Sequence, residues 1–247
     1  MNGFDFAFLF VLFVIQPLYG RYAWLKLLRE IEAGAHPDRV VLYRQTMLAQ
    51  WLGFLVLLLG WWWLGRPYAD LGLHGEVGAG FLVVGVLGAV ALGGLAVLAL
   101  RLRNASTEAK QTQRERLGGL EPFLPQDDRD LRSFFALSIT AGVVEELLYR
   151  GFVLWVLAQW MPLWAAVLLS SLAFGLAHSY QGAGGMLRTG LMGLLFAGLF
   201  VASGSIWLPM LFHALFDIVQ GVQIRELYRE RDSAASRFPA KTASNDA

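Results

Sequence analysis

Apolar positions in this chain run in long unbroken blocks rather than alternating with polar ones, and the blocks are separated by short charged stretches. A hydrocarbon core of roughly 30 Å needs about 20 apolar residues per helix. The pattern predicts spans near 6–19, 47–65, 79–100, 134–157, 161–179, 186–203 and 206–222. Backbone groups in lipid have no water to bond, so each span is expected to be helical. The predicted fold is all-α, a polytopic transmembrane bundle of about seven spans, with an active site between helices of the C-terminal half.

Two features refine the first block. "MNGFDF" carries no Lys or Arg, and no small-residue cleavage site follows "FAFLFVLFVIQPLYG", so the segment reads as a retained span and not a leader. Residues 21–32, "RYAWLKLLREIE", put Trp24, Leu27, Leu28 and Ile31 on one helical face and Lys26, Arg29 and Glu30 on another. That division predicts an amphipathic helix in the membrane interface. "WWW" at 61–63 falls where a span ends and reads as an aromatic anchor. Gly85 with Ala89 and Gly193 with Ala197 are small residues four apart that permit close helix packing.

Composition agrees with this class: 56% of residues are hydrophobic and the mean hydropathy is +0.51. With no cysteine, disulfides and thiol catalysis are excluded. The net charge of +1 conceals an asymmetry. Eighteen of the 20 Lys and Arg lie in 20–46, in 101–132, at Arg188 and after 222, which seven spans place on one side. By the positive-inside rule that side is cytoplasmic, with the N-terminus outside. The expected location is an integral, multi-pass membrane, the plasma (inner) membrane if the source is bacterial. The chain divides into N-terminal transmembrane helices with the interfacial helix (1–100), a polar cytoplasmic loop (101–130), a core (131–222), and a polar tail (223–247) expected to be disordered. The basic loops are expected to set topology, and nothing in them suggests a nucleic-acid partner.

Ionisable residues return inside apolar spans at "EELLYR" (145–150), "FGLAH" (174–178) and "HALFD" (213–217). Such residues are costly in a membrane and are functional candidates by default. Glu146 and Arg150 are four apart and can pair on one face. Glu145 is turned about 100° away at ~3.6 residues per turn, leaving its carboxylate for other work. His213 and Asp217 also share a face, as do Phe174 and His178, where Phe174 reads as packing. Glu145, His178, His213 and Asp217 remain as polar members from three helices. A glutamate beside a histidine in a shielded cavity suits activation of water. A second histidine with a polar neighbour suits stabilisation of an oxyanion. The same four residues could instead ligate Zn²⁺, although no HExxH motif is present. No cofactor is otherwise expected, and His36 and His74 fall in predicted connections.

The motifs EExxxR, FxxxH and HxxxN/D in this order resemble the CPBP family, which comprises type II CAAX prenyl proteases, bacteriocin-processing and immunity proteins, and Abi-type membrane proteins. The matches are Glu145 to Arg150, Phe174 to His178 and His213 to Asp217, together with the "GSIWLPMLFHALFD" run, over roughly 131–222. The resemblance implies a glutamate-dependent intramembrane endopeptidase, in a family also labelled metalloprotease. It implies Glu145 as base with His178 as its partner, His213 and residue 217 as the oxyanion site, and Glu146, Arg150 and Phe174 as support. The family most often has Asn where Asp217 stands, so Asp217 must be protonated to donate or must orient His213. The implied substrate is a membrane-anchored or lipidated protein or peptide. Two other classes stay open: a non-catalytic immunity or scaffold protein of the same fold, and a proton- or metal-coupled transporter, whose usual inverted repeat is missing here.

Overall fold

A computed structural model describes residues 2–73, 78–102 and 104–237, so His74 lies outside the described residues. Every predicted apolar block falls on a helix. Helix α1 runs Gly3–Glu32, α2 is Arg39–Trp63, α3 is Ala79–Leu102, and α4 is the short polar helix Thr107–Leu117. Helix α5 covers 128–158, α6 is Leu163–Ala177, α7 is Gly182–Ser203 and α8 is Trp207–Arg237. No strand is found among the described residues. Among the described residues four helices are long and apolar enough to cross a membrane: α1, α2, α3 and the α7 region from Ser179. The other apolar helices are short, as α6 is, or carry the charged motif residues, as α5 and α8 do.

Local chemistry starts the N-terminal helices. Asn2 and Asp5 form a reciprocal capping box at the head of α1. Asp38 caps α2 by accepting from the Val40 amide at 2.9 Å. Residues 21–32 are not a separate helix; they continue α1, with Trp24, Leu27, Leu28 and Ile31 half-buried and Lys26, Arg29 and Glu30 exposed. The aromatic triplet splits. Trp62 and Trp63 are exposed, whereas Trp61 is fully buried, bonded through its indole N–H to the Pro67 carbonyl at 3.0 Å.

Two expectations are corrected. The connection 101–130 is not a plain loop, because Thr107–Leu117 is helical; the Ser106 hydroxyl accepts from the Ala109 amide, and Gln111 bonds Glu115 one turn on. The tail is not unstructured from 223, since α8 continues to Arg237. Buried Leu227 and Tyr228 hold its middle, Arg114 donates to the Leu227 carbonyl at 3.0 Å, and Arg225 pairs with Asp128 at 3.0 Å. Composition alone does not register that docking. Residues 238–247 lie outside the described residues.

Helix α8 packs along α5, α2 packs against α5, α6 against α7, and α3 against α8 and α7. The α5–α8 crossing depends on Gly142, where an added Cβ would lie 2.8 Å from the Ala214 Cβ and from the Met210 carbonyl oxygen. The α6–α7 crossing depends in the same way on Gly175, whose Cβ would meet the Met186 carbonyl oxygen at 2.7 Å. Lipid supplies little drive for helix association, so such close approaches provide the van der Waals contact that holds the bundle.

Ion pairs gather at the two ends. At one, Asp38 meets Arg129 at 2.7 Å, Arg39 meets Asp130 at 3.7 Å, and Arg225 meets Asp128. Arg39, Arg129 and Arg225, one from each of the stretches 20–46, 101–132 and the tail, thus lie at one end. At the other, Arg66 makes a two-pronged bond to buried Asp5, at 2.7 and 2.8 Å, and its guanidinium lies between the Trp61 and Trp155 rings at 5.0 and 4.9 Å.

Candidate functional site

The polar centre is built where α5 changes its winding. Its α-helical part ends at Glu146, and Leu147–Val153 forms a π turn. Such turns recur at functional sites, because one extra residue per turn re-aims the side chains on either side. The Tyr149 carbonyl accepts from the Leu154 amide across the turn and also from the Ser170 hydroxyl of α6 at 2.7 Å. Irregular backbone at this depth is thereby satisfied within the protein.

Glu146 and Arg150 form the pair their spacing predicts, at 3.0 Å, with both side chains fully buried. Arg150 also donates to the Gly193 carbonyl at 2.9 Å, and its guanidinium sits 4.4 Å over the Phe174 ring. Gly193 is small for this reason: a Cβ there would come within 3.1 Å of Phe174 and 3.4 Å of Arg150. Glu146 does a second job that the sequence did not reveal. The same oxygen, Oε1, lies 2.8 Å from His213 Nδ1. A carboxylate can only accept here, so Nδ1 carries the proton and Nε2 is the nitrogen left to face Glu145 and Asp217. The partner that orients His213 is therefore Glu146 and not Asp217.

Nε2 of His213 faces two further carboxylates, Asp217 Oδ2 at 3.7 Å and Glu145 Oε2 at 4.0 Å. Both distances exceed a hydrogen bond. Both suit an oxygen held between the two groups at ~2.8 Å from each. The His213 ring is clamped flat on Phe196, centroids 4.9 Å apart, and edge-on to Phe174 at 6.0 Å. Among the facing carboxylates Asp217 is the most open, its side chain 31% exposed against 14% for Glu145.

His178 packs against Phe174, ring centroids 5.0 Å apart. It terminates α6, and its Nδ1 lies 2.9 Å from the Phe174 carbonyl. That carbonyl fixes the proton on Nδ1, so Nε2 carries a lone pair. Among the described residues His178 makes no hydrogen bond to Glu145, and both histidines contact the Phe174 ring. The motif phenylalanine is thus the ring against which both histidines and Arg150 rest, as well as core packing.

Glu145 has its own partner, Gln50 of α2, whose Nε2 donates to Oε1 at 2.7 Å. Spacing arguments could not find this contact across 95 residues; its one sequence signal is a polar amide inside a predicted span. His36 lies in the connection between α1 and α2, away from these groups.

A tetrahedral zinc site needs its donors to converge on one point. Among the described residues, no three His, Asp or Glu side chains are placed to hold a metal ion. His178 is turned into its own helix, and Glu145 is bound to Gln50. The four candidates do not fit such a site as arranged, and no step is routed through a metal.

The family model described as type II CAAX prenyl endopeptidase, Rce1-like, matches residues 128–219. The matched stretch carries all three motifs, which agrees with the CPBP resemblance and supports a protease. No curated protein and no solved structure shows significant similarity to the chain.

Proposed function

We propose that this chain, whose residues 128–219 form an Rce1-like segment, is an intramembrane endopeptidase that hydrolyses a peptide bond of a membrane-associated substrate with a glutamate-activated water. The observation that carries this reading is the division of labour between the adjacent glutamates. Glu146 neutralises Arg150 and holds His213, while Glu145 Oε2 faces His213 Nε2 across 4.0 Å. That gap accommodates one oxygen in contact with both.

In this mechanism Glu145 Oε2 takes a proton from water as the water oxygen bonds to the scissile carbonyl carbon. His178 Nε2, its other nitrogen committed to Phe174, is the second acceptor that orients the water. In its charged form His213 donates Nε2–H to the developing oxyanion, with Glu146 and Asp217 as counter-charges. Asp217 then acts through His213 and not as an oxyanion donor itself. Collapse of the tetrahedral intermediate breaks the C–N bond, and the proton on Glu145 passes to the leaving amine.

The substrate class follows from the setting: a peptide anchored in or lipidated at the bilayer, presented to a site between apolar helices. The meeting of Arg39, Arg129 and Arg225 at one end, with the count of Lys and Arg in the flanking stretches, supports a cytoplasmic location for that end, with the N-terminus outside. The test is Glu145→Gln in purified protein, assayed on membrane-anchored peptides. Cleavage should fall to background; wild-type cleavage would remove Glu145 as base and sink the mechanism.

A further inference from the structure

The matched segment begins at 128, yet a hydrogen bond to the proposed base comes from helix α2, far upstream. Gln50 Nε2 donates to Glu145 Oε1 at 2.7 Å, a short bond strengthened by the carboxylate charge. The orientation of the amide is dictated, because the reverse would set its oxygen against another acceptor. Gln50 is half-buried, and its Oε1 makes no hydrogen bond to protein, so the bond to Glu145 is what fixes this side chain. Among the described residues no other hydrogen bond holds the Glu145 carboxylate, and the terminal torsion of a glutamate is broad and roughly two-fold. Unrestrained, the carboxylate plane would rotate about its terminal torsion and not hold an oxygen opposite His213 Nε2.

We propose that Gln50 is a positioning residue for peptide hydrolysis: it clamps Oε1 of Glu145 so that Oε2 is the oxygen presented to water opposite His213 Nε2. The inference rests on Glu145 being the base. It gives the N-terminal half a part in the chemistry, because α2, packed on α5, completes the geometry of the site. Gln50 acts through Glu145 and does not touch substrate, so its loss should slow turnover without weakening binding.

The experiment compares wild type, Gln50→Met, Gln50→Asn and Glu145→Gln on a membrane-anchored peptide, with thermal unfolding as a check of fold. Met keeps the length of Gln and removes the donor. Asn keeps the amide but withdraws it by one methylene. Both should lower kcat about 10- to 100-fold, the scale of one hydrogen bond to a charged group, with KM within twofold of wild type. A wild-type kcat in either variant, or a raised KM at unchanged kcat, overturns the clamp. If Glu145→Gln is inactive and Gln50→Met is fully active, only the clamp fails. If Glu145→Gln cleaves normally, the base assignment fails and takes the clamp with it.

Discussion

Glu146 Oε1 accepts from His213 Nδ1 at 2.8 Å while the same oxygen accepts from Arg150 at 3.0 Å. One carboxylate thereby joins a buried cation to the imidazole of another helix, and substitution there has two separable effects. Glu146→Ala strands Arg150 without a counter-charge, a loss of about 3–5 kcal/mol for a buried pair, and should sharply lower the yield of folded protein. Glu146→Gln keeps an acceptor for both neighbours, so more of it should fold, with reduced kcat because His213 is held less firmly. Size-exclusion yield and kcat measured side by side test this; full activity in Glu146→Gln would contradict the His213 role.

The glycine at the α5–α8 crossing makes a steric prediction. A Cβ at Gly142 would lie 2.8 Å from Ala214 and from the Met210 carbonyl oxygen, whereas one at Gly94 would meet nothing within 4 Å. Gly142→Ala should cost on the order of 1–3 kcal/mol through forced separation of the two helices. It should also lower kcat, because those helices carry Glu145 and His213. Gly94→Ala should leave unfolding temperature and activity unchanged. Equal unfolding temperatures for the two variants would rule out the close crossing.

The Asp5–Arg66 clasp lies far along the bundle from the polar centre, and its side chains are 1% and 15% exposed. Asp5→Asn removes one charge of a buried pair and should destabilise by about 3–5 kcal/mol. Asp5→Leu combined with Arg66→Leu should recover most of that loss, since two apolar residues leave no unpaired charge. Thermal unfolding of the single and double variants checks it; a double variant as unstable as Asp5→Asn would show that the clasp does more than neutralise charge.

At the opposite end, the hydrogen bond from Arg129 holds the Asp38 carboxyl below its usual 3.8, against the opposing effect of desolvation, with the Val40 amide contributing less. A carboxyl lowered on folding stabilises the fold above its unfolded pKa, and that stabilisation is lost as pH falls through the folded value. Asp38→Asn keeps the helix cap and removes the ion pair. Its unfolding temperature should therefore lie slightly below wild type at pH 7, and the gap should begin to narrow only as pH falls below about 4. A gap that stays constant from about pH 5 down to about pH 2 would assign the difference to the cap.

Much of this architecture is legible in the sequence for a physical reason. A membrane span must be long, apolar and helical, so hydropathy alone locates α1, α2 and α3, and the four-residue spacing of Glu146 and Arg150 forecasts their contact. Residues 67 and 95 positions apart carry no such rule, and for that reason the Glu146–His213 and Gln50–Glu145 bonds were invisible. The winding of Leu147–Val153 was also invisible, because a π turn differs from an α turn by one hydrogen-bond register and not by residue type. Helical structure at 107–117 and 223–237 was hidden by polar composition, which reports solvation and not docking.

That π turn amounts to a one-residue insertion in helix α5. Winding the same residues as ordinary α-helix, with none removed, would turn the two ends of the helix about 100° relative to each other, with a shift of ~1.5 Å. The Glu145–Glu146 end and the Trp155 end could not then both keep their neighbours, His213 with Gln50 on one side and Arg66 on the other. The insertion acts as a phase adjuster that lets a single rigid rod satisfy two unrelated sets of contacts. A chain of the same length wound as α-helix through 147–153 would have to give up either the polar centre or the clasp.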